Sequence, residues 1–269
     1  MSARVSLILA RRWLARHRGL LALVLLGLFV FEVGLVHIAE QFDGGAGMQA
    51  VVDMLPSFFQ QLVHDKLRDF SADGVVSMGF NHPVAMTVMC SMVALFATGT
   101  AADREEGLLG ALLARPVSRG AYLGGIVLCV VLLALIQPAM LLGGGMLGLS
   151  MVSLDQTVPF EVHVEAGLGL VALLLAVGGL ALLAGVYAPR RGVAVTWLAA
   201  ALVPAYLVEF LGFLWSGMDA VRWLSPFHYV PQLPALLGQE PSAAGLWPLL
   251  LLAALCWALA ARRFAGSDE

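Results

Sequence analysis

The sequence predicts an all-α polytopic membrane protein, with 269 residues forming a single transmembrane domain of six membrane-spanning helices. Hydrophobic residues make up 60% of the chain and charged residues 12%, whereas soluble domains have about a quarter charged residues. The mean hydropathy is correspondingly high at +0.89. This composition predicts that the chain lies in membrane lipid. The net charge of −3 gives no basis for nucleic-acid binding.

Six apolar segments are long enough to cross a membrane, which takes about 20 residues for about 30 Å of hydrocarbon. They are Leu20–Ala39, Pro83–Ala102, Tyr122–Leu149, Gly167–Ala188, Val193–Trp215 and Ala243–Ala261. The third segment is longer than a crossing requires and contains Gln137-Pro138. We therefore expect that span to be kinked or tilted.

The basic residues predict the orientation, because Lys and Arg in short loops mark the cytoplasmic side. Twelve of the 15 lie on the face shared by both termini: Arg4, Arg11, Arg12, Arg16, Arg18, Arg104, Arg115, Arg119, Arg190, Arg191, Arg262 and Arg263. The opposite face keeps Lys66, Arg68 and Arg222 among most of the acidic residues. The sequence thus predicts a multi-pass protein of the cytoplasmic (inner) membrane with both termini in the cytoplasm.

Residues 1–18 are predicted to form an interfacial helix before the first span. At 100° per residue, Arg4, Arg11 and Arg18 align on one side, and Leu9 and Trp13 gather towards the other. The alternative is a basic flank that only sets orientation. A cleaved twin-arginine signal, suggested by ARRWLA, is disfavoured because the apolar run is too long and five further spans follow.

Motifs for catalysis are missing from the sequence, so we do not predict an enzyme. There is no HExxH, GxSxG or CxxC, and Cys90, Cys129 and Cys256 fall inside apolar runs that favour inert buried thiols. The sole lysine, Lys66, is in an outer loop, whereas a P-loop needs a lysine after its glycines. Any ATP-driven activity would therefore need a motor on another polypeptide.

Three other acidic or histidine-containing features are candidates for a metal site or a substrate path. Glu161, His163 and Glu165 resemble a metal-binding corner, but a solvated acidic loop is the favoured interpretation, and no metal or cofactor is predicted. Glu32 and Glu209 are ionisable groups at membrane depth, which marks them as candidates for a substrate path. The alternative is that both reach the interface or a water-filled vestibule.

The stretch DREEGLLGALLARPVSRG, residues 103–120, concentrates charge between two apolar segments. It predicts a short amphipathic cytoplasmic helix over residues 103–116, starting at its acidic end and stopped by Pro116. One face would carry Leu108, Leu109, Leu112 and Leu113, and the opposite face Gly107, Gly110, Ala111 and Ala114. The alternative is a charged loop that only connects the two spans and happens to be helical.

The phrase REEGLLGALLARPVSRGAYLGG resembles the region after the second span in permeases of the ATP-binding cassette type 2 exporter family. Leu224-Ser225-Pro226-Phe227-His228-Tyr229 is similar to the family's Ser-Pro-Phe element before the last span. Ala261-Arg262-Arg263-Phe264 is similar to the basic-aromatic end of that span. Leu108 departs from the family, which often has Thr there, so a hydroxyl hydrogen bond at that position is in doubt.

The resemblance implies a permease subunit that moves a substrate across the membrane with ATP hydrolysed by a separate subunit. ATP and magnesium would bind that ATPase, and a second permease subunit would complete a homo- or heterodimer. The cytoplasmic helix would be the coupling element, and residues 226–241 an outer re-entrant or interfacial segment. The predicted ATPase-docking residues are Arg104, Glu105, Glu106, Gly107, Gly110, Ala111, Arg115, Pro116 and Arg119. The alternative function is a non-transporting membrane scaffold or maturation factor.

Overall fold

A computed structural model describes residues 2–41, 79–114, 117–153, 160–214, 216–230 and 243–266. Within those ranges the chain is helical and has no β-strand, which confirms the all-α prediction. The α-helices are α1 (Ser2–Arg16), α2 (Arg18–Gln41), α3 (Pro83–Ala97), α4 (Gly99–Glu105), α5 (Leu108–Leu113), α6 (Arg119–Leu149), α7 (Phe160–Tyr187), α8 (Arg191–Leu214), α9 (Asp219–Arg222) and α10 (Trp247–Ala265). Short 3₁₀ helices cover Ser216–Met218, Pro226–Tyr229 and Ala243–Leu246.

Helices α2, α6, α7, α8 and α10 are each long and apolar enough to cross a membrane, and α3 with α4 supplies a sixth span that is bent by 53°. The bend falls at Thr98, where the side-chain hydroxyl donates to Ala94 O at 2.7 Å. Such hydrogen bonds from Ser or Thr to the carbonyl four residues earlier bend helices. The predicted number of spans is thus confirmed when the bent pair counts as one, although the bend itself was not predicted.

The longest span, α6, runs without a break through Pro138. Its neighbour Gln137 is fully buried, and the side-chain nitrogen donates to Leu133 O at 3.1 Å. A proline cannot supply the backbone N–H of a normal helical turn. Helix α6 nevertheless continues through Pro138 for 31 residues.

Helix α7 occupies the centre of the bundle and packs against α3, α4, α6, α8 and α10. Of its most apolar stretch, 72% is buried, against 17% for α2 and for α8. Glycines permit this close approach: a Cβ on Gly178 would collide with Val130 of α6, and a Cβ on Gly179 would lie 3.0 Å from Trp257 of α10. These contacts make α7 the helix around which the others are arranged.

The first helix lies against the start of α6. Ser6 Oγ donates to Ala121 O at 2.9 Å, and the Trp13 and Tyr122 rings meet edge to face at 5.5 Å. Ala10 between them is buried, whereas the side chains of Arg11 and Arg12 are exposed. Of the residues 1–18 predicted as one helix, Ser2–Arg16 form α1 and Arg18 begins α2, and the location of α1 at the membrane interface stays a prediction.

The span ends assigned to the cytoplasmic side come together at one end of the bundle. Arg119 at the start of α6 donates to Phe264 O near the end of α10 at 2.8 Å. Arg263 of α10 lies over the ring of Tyr187, the last residue of α7, at 5.4 Å. The arginine-bearing ends of these spans thus lie together, as the predicted orientation requires. The cytoplasmic location of this end stays a prediction.

We predict that single cysteines at the two ends of the bundle will react from opposite sides of the membrane. The positions are Arg190, which is exposed between α7 and α8, and Met151, which is 63% exposed beyond α6. In a background lacking the three native cysteines, Arg190→Cys should react with an impermeant maleimide only in inside-out vesicles. Met151→Cys should react in intact cells. Labelling of both from the same side, or with the sides exchanged, would overturn the predicted orientation.

Candidate functional site

Three consecutive charged residues at the end of α4 each contact a different span. Tyr122 of α6 donates its hydroxyl to Asp103 Oδ2 at 2.6 Å. Arg104 bonds to the end of α7, and Glu105 Oε2 accepts from the backbone N–H of Arg191, the first residue of α8, at 3.0 Å. We call Asp103, Arg104 and Glu105 the charged corner. It connects the bent second span to the third, fourth and fifth spans.

Arg104 closes the carboxyl end of α7. Its Nη1 donates to Ala188 O at 2.6 Å and to Gly185 O at 3.3 Å, and its Nη2 donates to Val186 O at 3.3 Å. The last carbonyls of a helix have no partner within the helix and carry partial negative charge, which a cation stabilises. Arg104 thus supplies donors at the end of the most buried span.

Glu105 and Arg191 continue the connection to α3 and α8. The Glu105 carboxylate accepts at the amino end of α8, where helix N–H groups lack internal partners and negative charge is favourable. The Arg191 side chain in turn donates from Nη2 to Leu95 O of α3 at 3.1 Å. The charged corner is therefore bonded to α8 directly and, through Arg191, to α3.

The helix predicted over residues 103–116 is divided in the structure. Gly107 has a positive φ of 69°, a left-handed conformation that glycine adopts without steric cost. Helix α4 ends at Glu105 and α5 begins at Leu108. Glu105 therefore lies in the last turn of α4, whereas the sequence predicted it in the first turn of a helix over residues 103–116. The leucine spacing gave no sign of this break, because all four leucines follow Gly107 in the chain.

Within α5, the small-residue face is exposed and most of the leucine face is covered. Leu109 is buried at 3% exposure, and Leu112 and Leu113 are half-buried. Gly107, Gly110, Ala111 and Ala114 are exposed, and a Cβ on Gly110 would meet nothing within 4 Å. Leu108 departs from the predicted face because it is 41% exposed.

The other predicted docking residues have different surroundings. Glu106 is exposed beside Gly107. Arg119 turns towards α10, where it bonds to Phe264 O and lies 5.8 Å over the Phe264 ring. Arg115 and Pro116 lie outside the described residues. Docking on an ATPase stays a prediction for the whole set, while Arg104, Glu105 and Arg119 also have contacts within the chain.

His17, between α1 and α2, stands at the same end of the bundle. Its ring meets Phe96 of α3 edge to face at 5.4 Å. Burial, followed by the nearby positive charges of Arg16 and Arg191, lowers the pKa of His17 below its usual value. The uncharged ring is therefore favoured at neutral pH, and it adds no further positive charge to this arginine-rich end.

A mostly apolar groove separates α3 from α8. It encloses about 490 Å³, within the range of pockets for small ligands. It reaches from Arg191 at the charged corner to Pro83 and Phe227 at the other end. Its walls are Met86, Thr87, Cys90, Ser91, Ala94 and Leu95 on α3 and Val195, Leu198, Ala199, Leu202, Val203, Tyr206 and Leu207 on α8. Sequence reasoning missed this groove.

Glu209 is buried at 4% exposure near the far end of α8. Its Oε1 is 2.5 Å from Nη2 of Arg222, its Oε2 accepts from Nε of Arg222 at 3.2 Å, and its Oε2 is 3.3 Å from Nδ1 of His228. This contact fastens α9 and the Pro226–Tyr229 3₁₀ helix to α8. Residues 231–241 of the predicted outer segment lie outside the described residues.

Glu32 is fully buried between α2 and α6. Neither Glu32 nor Glu209 is among the residues that line the α3–α8 groove, so the groove and the two sequence candidates are different places. His163, from the sequence's other candidate cluster, is buried with its ring 6.2 Å from that of Phe80. Glu161 on the same helix is exposed.

Comparison with known protein families matches residues 9–265, almost the whole chain, to the family model described as "Multidrug efflux system permease Rv1217c, C-terminal domain". A search of curated proteins finds no match.

We predict that Arg104→Ala will destabilise the bundle by about 1–3 kcal/mol, because partly buried carbonyls at the end of α7 lose a charged donor. Thermal unfolding in detergent, followed by helical circular dichroism, should show an earlier transition than for the unaltered protein. Arg12→Ala is the matched control, since that arginine is exposed on α1. Equal transitions for the two variants would show that the cap contributes little to stability.

Proposed function

Since the chain belongs to the multidrug efflux system permease family matched over residues 9–265, we propose that this membrane permease is the transmembrane subunit of an ATP-binding cassette type 2 exporter. A separate subunit binds and hydrolyses ATP with magnesium, and a second permease subunit, identical or different, completes the complex. The complex resides in the cytoplasmic membrane with both permease termini in the cytoplasm. The observation that carries the proposal is the exposed small-residue face of α5 beside the charged corner.

The exposed face of α5 suits contact with an ATPase surface. Gly107, Gly110, Ala111 and Ala114 offer little side-chain bulk, so another backbone can approach closely. Leu109 meanwhile anchors α5 in the core. A force applied to α5 would therefore pass into α4 across the short joint at Gly107.

The charged corner supports transmission of that force to the groove. Glu105 holds the amino end of α8, and Arg191 of α8 bonds to Leu95 of α3. Because α3 and α8 form the two walls of the groove, displacement at the corner would change the distance between them. ATP binding and hydrolysis below α5 would in this way open and close a path beside α3 and α8.

The groove also supports a substrate class. Its lining is largely apolar, with Thr87, Ser91 and Tyr206 as polar groups. Such a site favours apolar molecules with few hydrogen-bonding groups, because an apolar wall gives no compensation for burying charge. The proposed cargo is therefore a lipophilic small molecule, in keeping with the multidrug efflux family.

We predict that Gly110→Trp and Glu106→Arg will each lower co-purification of the ATPase at least about tenfold, equivalent to about 1.4 kcal/mol of binding. Tryptophan adds bulk to the exposed face of α5, and arginine reverses an exposed charge beside it. The measurement is the amount of ATPase retained on the tagged permease after co-expression in the native host.

Gly34→Trp is the matched control, because Gly34 in α2 is exposed and a Cβ there also meets nothing within 4 Å. All three variants should reach the membrane in normal amounts. If both α5 variants retain the ATPase as fully as the control does, the docking surface lies elsewhere.

A second prediction concerns the groove. Ser91→Trp and Ala199→Trp should fill it from opposite walls and abolish binding of a fluorescent apolar dye such as Nile red, while ATPase association continues. Leu132→Trp on α6 is the control, because Leu132 is 42% exposed and is not a lining residue. Undiminished dye binding in both groove variants would remove the groove from the substrate path.

A further inference from the structure

Glu32 is an acid enclosed in the half of the bundle away from the charged corner. It lies 14 positions beyond Arg18, the first residue of α2, or about 20 Å along a helix that rises about 1.5 Å per residue. Its exposure is 0%, and within the described part of the chain both carboxyl oxygens are buried without a hydrogen-bond partner. The described residues thus offer no donor to stabilise a negative charge on this side chain.

Glycines form the space that Glu32 occupies. A Cβ on Gly79 would collide with the Glu32 carboxyl group, and a Cβ on Gly144 of α6 would collide with Phe29 O and lie 3.1 Å from the Glu32 Cβ. A Cβ on Gly145 would lie 3.5 Å from the Glu32 Cγ. The space is thus fitted to the glutamate side chain itself, and only a ligand as small as a proton can be added without rearrangement.

No cation compensates the carboxyl group from the described elements that pack on α2. At the level of Glu32, α6 presents Gly144 and Gly145, and Gly79 lies against the carboxyl group from another side. His82, which follows in the chain, packs on Phe31 with a distance of 5.1 Å between ring centroids.

Among the described residues, other charged or titratable groups of this part of the bundle have other surroundings. His163 of α7 meets the ring of Phe80 at 6.2 Å. On α2 itself, His37 is exposed and bonds to Val33 O, and Glu40 is exposed. Helix α1, which also contacts α2, carries its arginines at the charged-corner end of the bundle. None of these groups stands against the Glu32 carboxyl group.

The burial of Glu32 determines the protonation state that its carboxyl group favours. An ionised carboxylate without a partner is far more costly in an apolar interior than a neutral carboxylic acid. Glu209 shows the contrasting solution in the same chain, since Arg222 and His228 surround it. An ionisable group at membrane depth is by default a functional candidate, and here the ligand that fits is a proton.

We propose that Glu32 is a proton-binding site, which holds a proton while Gly79 lies against its carboxyl group and releases that proton only when Gly79 separates from α2. Protonation and the closed arrangement then stabilise each other, because a ligand shifts a protein towards the conformation that binds it more tightly. The proposal goes beyond the assignment as an exporter subunit, since it requires neither substrate nor ATPase.

Infrared spectroscopy of the purified full-length chain in lipid nanodiscs tests the proposal directly. At neutral pH the unaltered protein should show the C=O stretch of a protonated carboxylic acid, and Glu32→Gln should lose that band because an amide absorbs elsewhere. Glu40→Gln, a change of an exposed acid on the same helix, should leave the band in place. Identical spectra for the unaltered protein and Glu32→Gln would overturn the proposal.

Glu32→Asp gives an independent readout for the case that Glu32→Gln fails to fold. Aspartate keeps an ionisable carboxyl group, so a band of a protonated carboxylic acid should persist at neutral pH, at a frequency shifted from that of the unaltered protein. In the unaltered protein the band should decrease at strongly alkaline pH, because the proton leaves the site. An unaltered protein without the band at neutral pH, or with the same band at strongly alkaline pH, would overturn the proposal.

Discussion

The cap that Arg104 places on α7 is the contact on which the end of the bundle near α5 depends. Helix α7 contacts most of the other spans, and the last carbonyls of α7 have no partner within the helix itself. Arg104 provides donors to Gly185, Val186 and Ala188 from the last turn of α4. The cap therefore fixes α4 against α7, and the bend at Thr98 directs α4 towards that position.

The spans could be predicted from sequence because lipid imposes their length and composition. The bend at Thr98 and the break at Gly107 could not, since each depends on a local backbone contact that hydropathy does not record. Arg104 and Glu105 were predicted to face a partner, and the structure shows them bonded to α7 and α8 as well. The groove was beyond sequence reasoning because its walls are about a hundred positions apart in the chain.

The two acids at membrane depth illustrate another limit of sequence reasoning. Glu32 and Glu209 are alike in sequence, each one acidic residue within a long apolar run. Packing separates them: Glu209 accepts from Arg222, thirteen positions further along the chain, whereas Glu32 is enclosed by glycines brought from α6 and from Gly79. Glu209 thus holds α9 and the Pro226–Tyr229 3₁₀ helix against α8, while the environment of Glu32 favours a neutral acid.

The low burial of α8, together with its bond to the charged corner, favours movement of this span. Helix α8 is buried over 17% of its apolar stretch and α7 over 72%, and regions with few buried apolar contacts need less free energy to rearrange. The amino end of α8 is bonded to Glu105, and Arg191 reaches across to α3. A displacement of α5 would therefore shift α8 more readily than α7. Because α8 is one wall of the groove, a small movement at the charged corner would change the groove while the centre of the bundle keeps its packing.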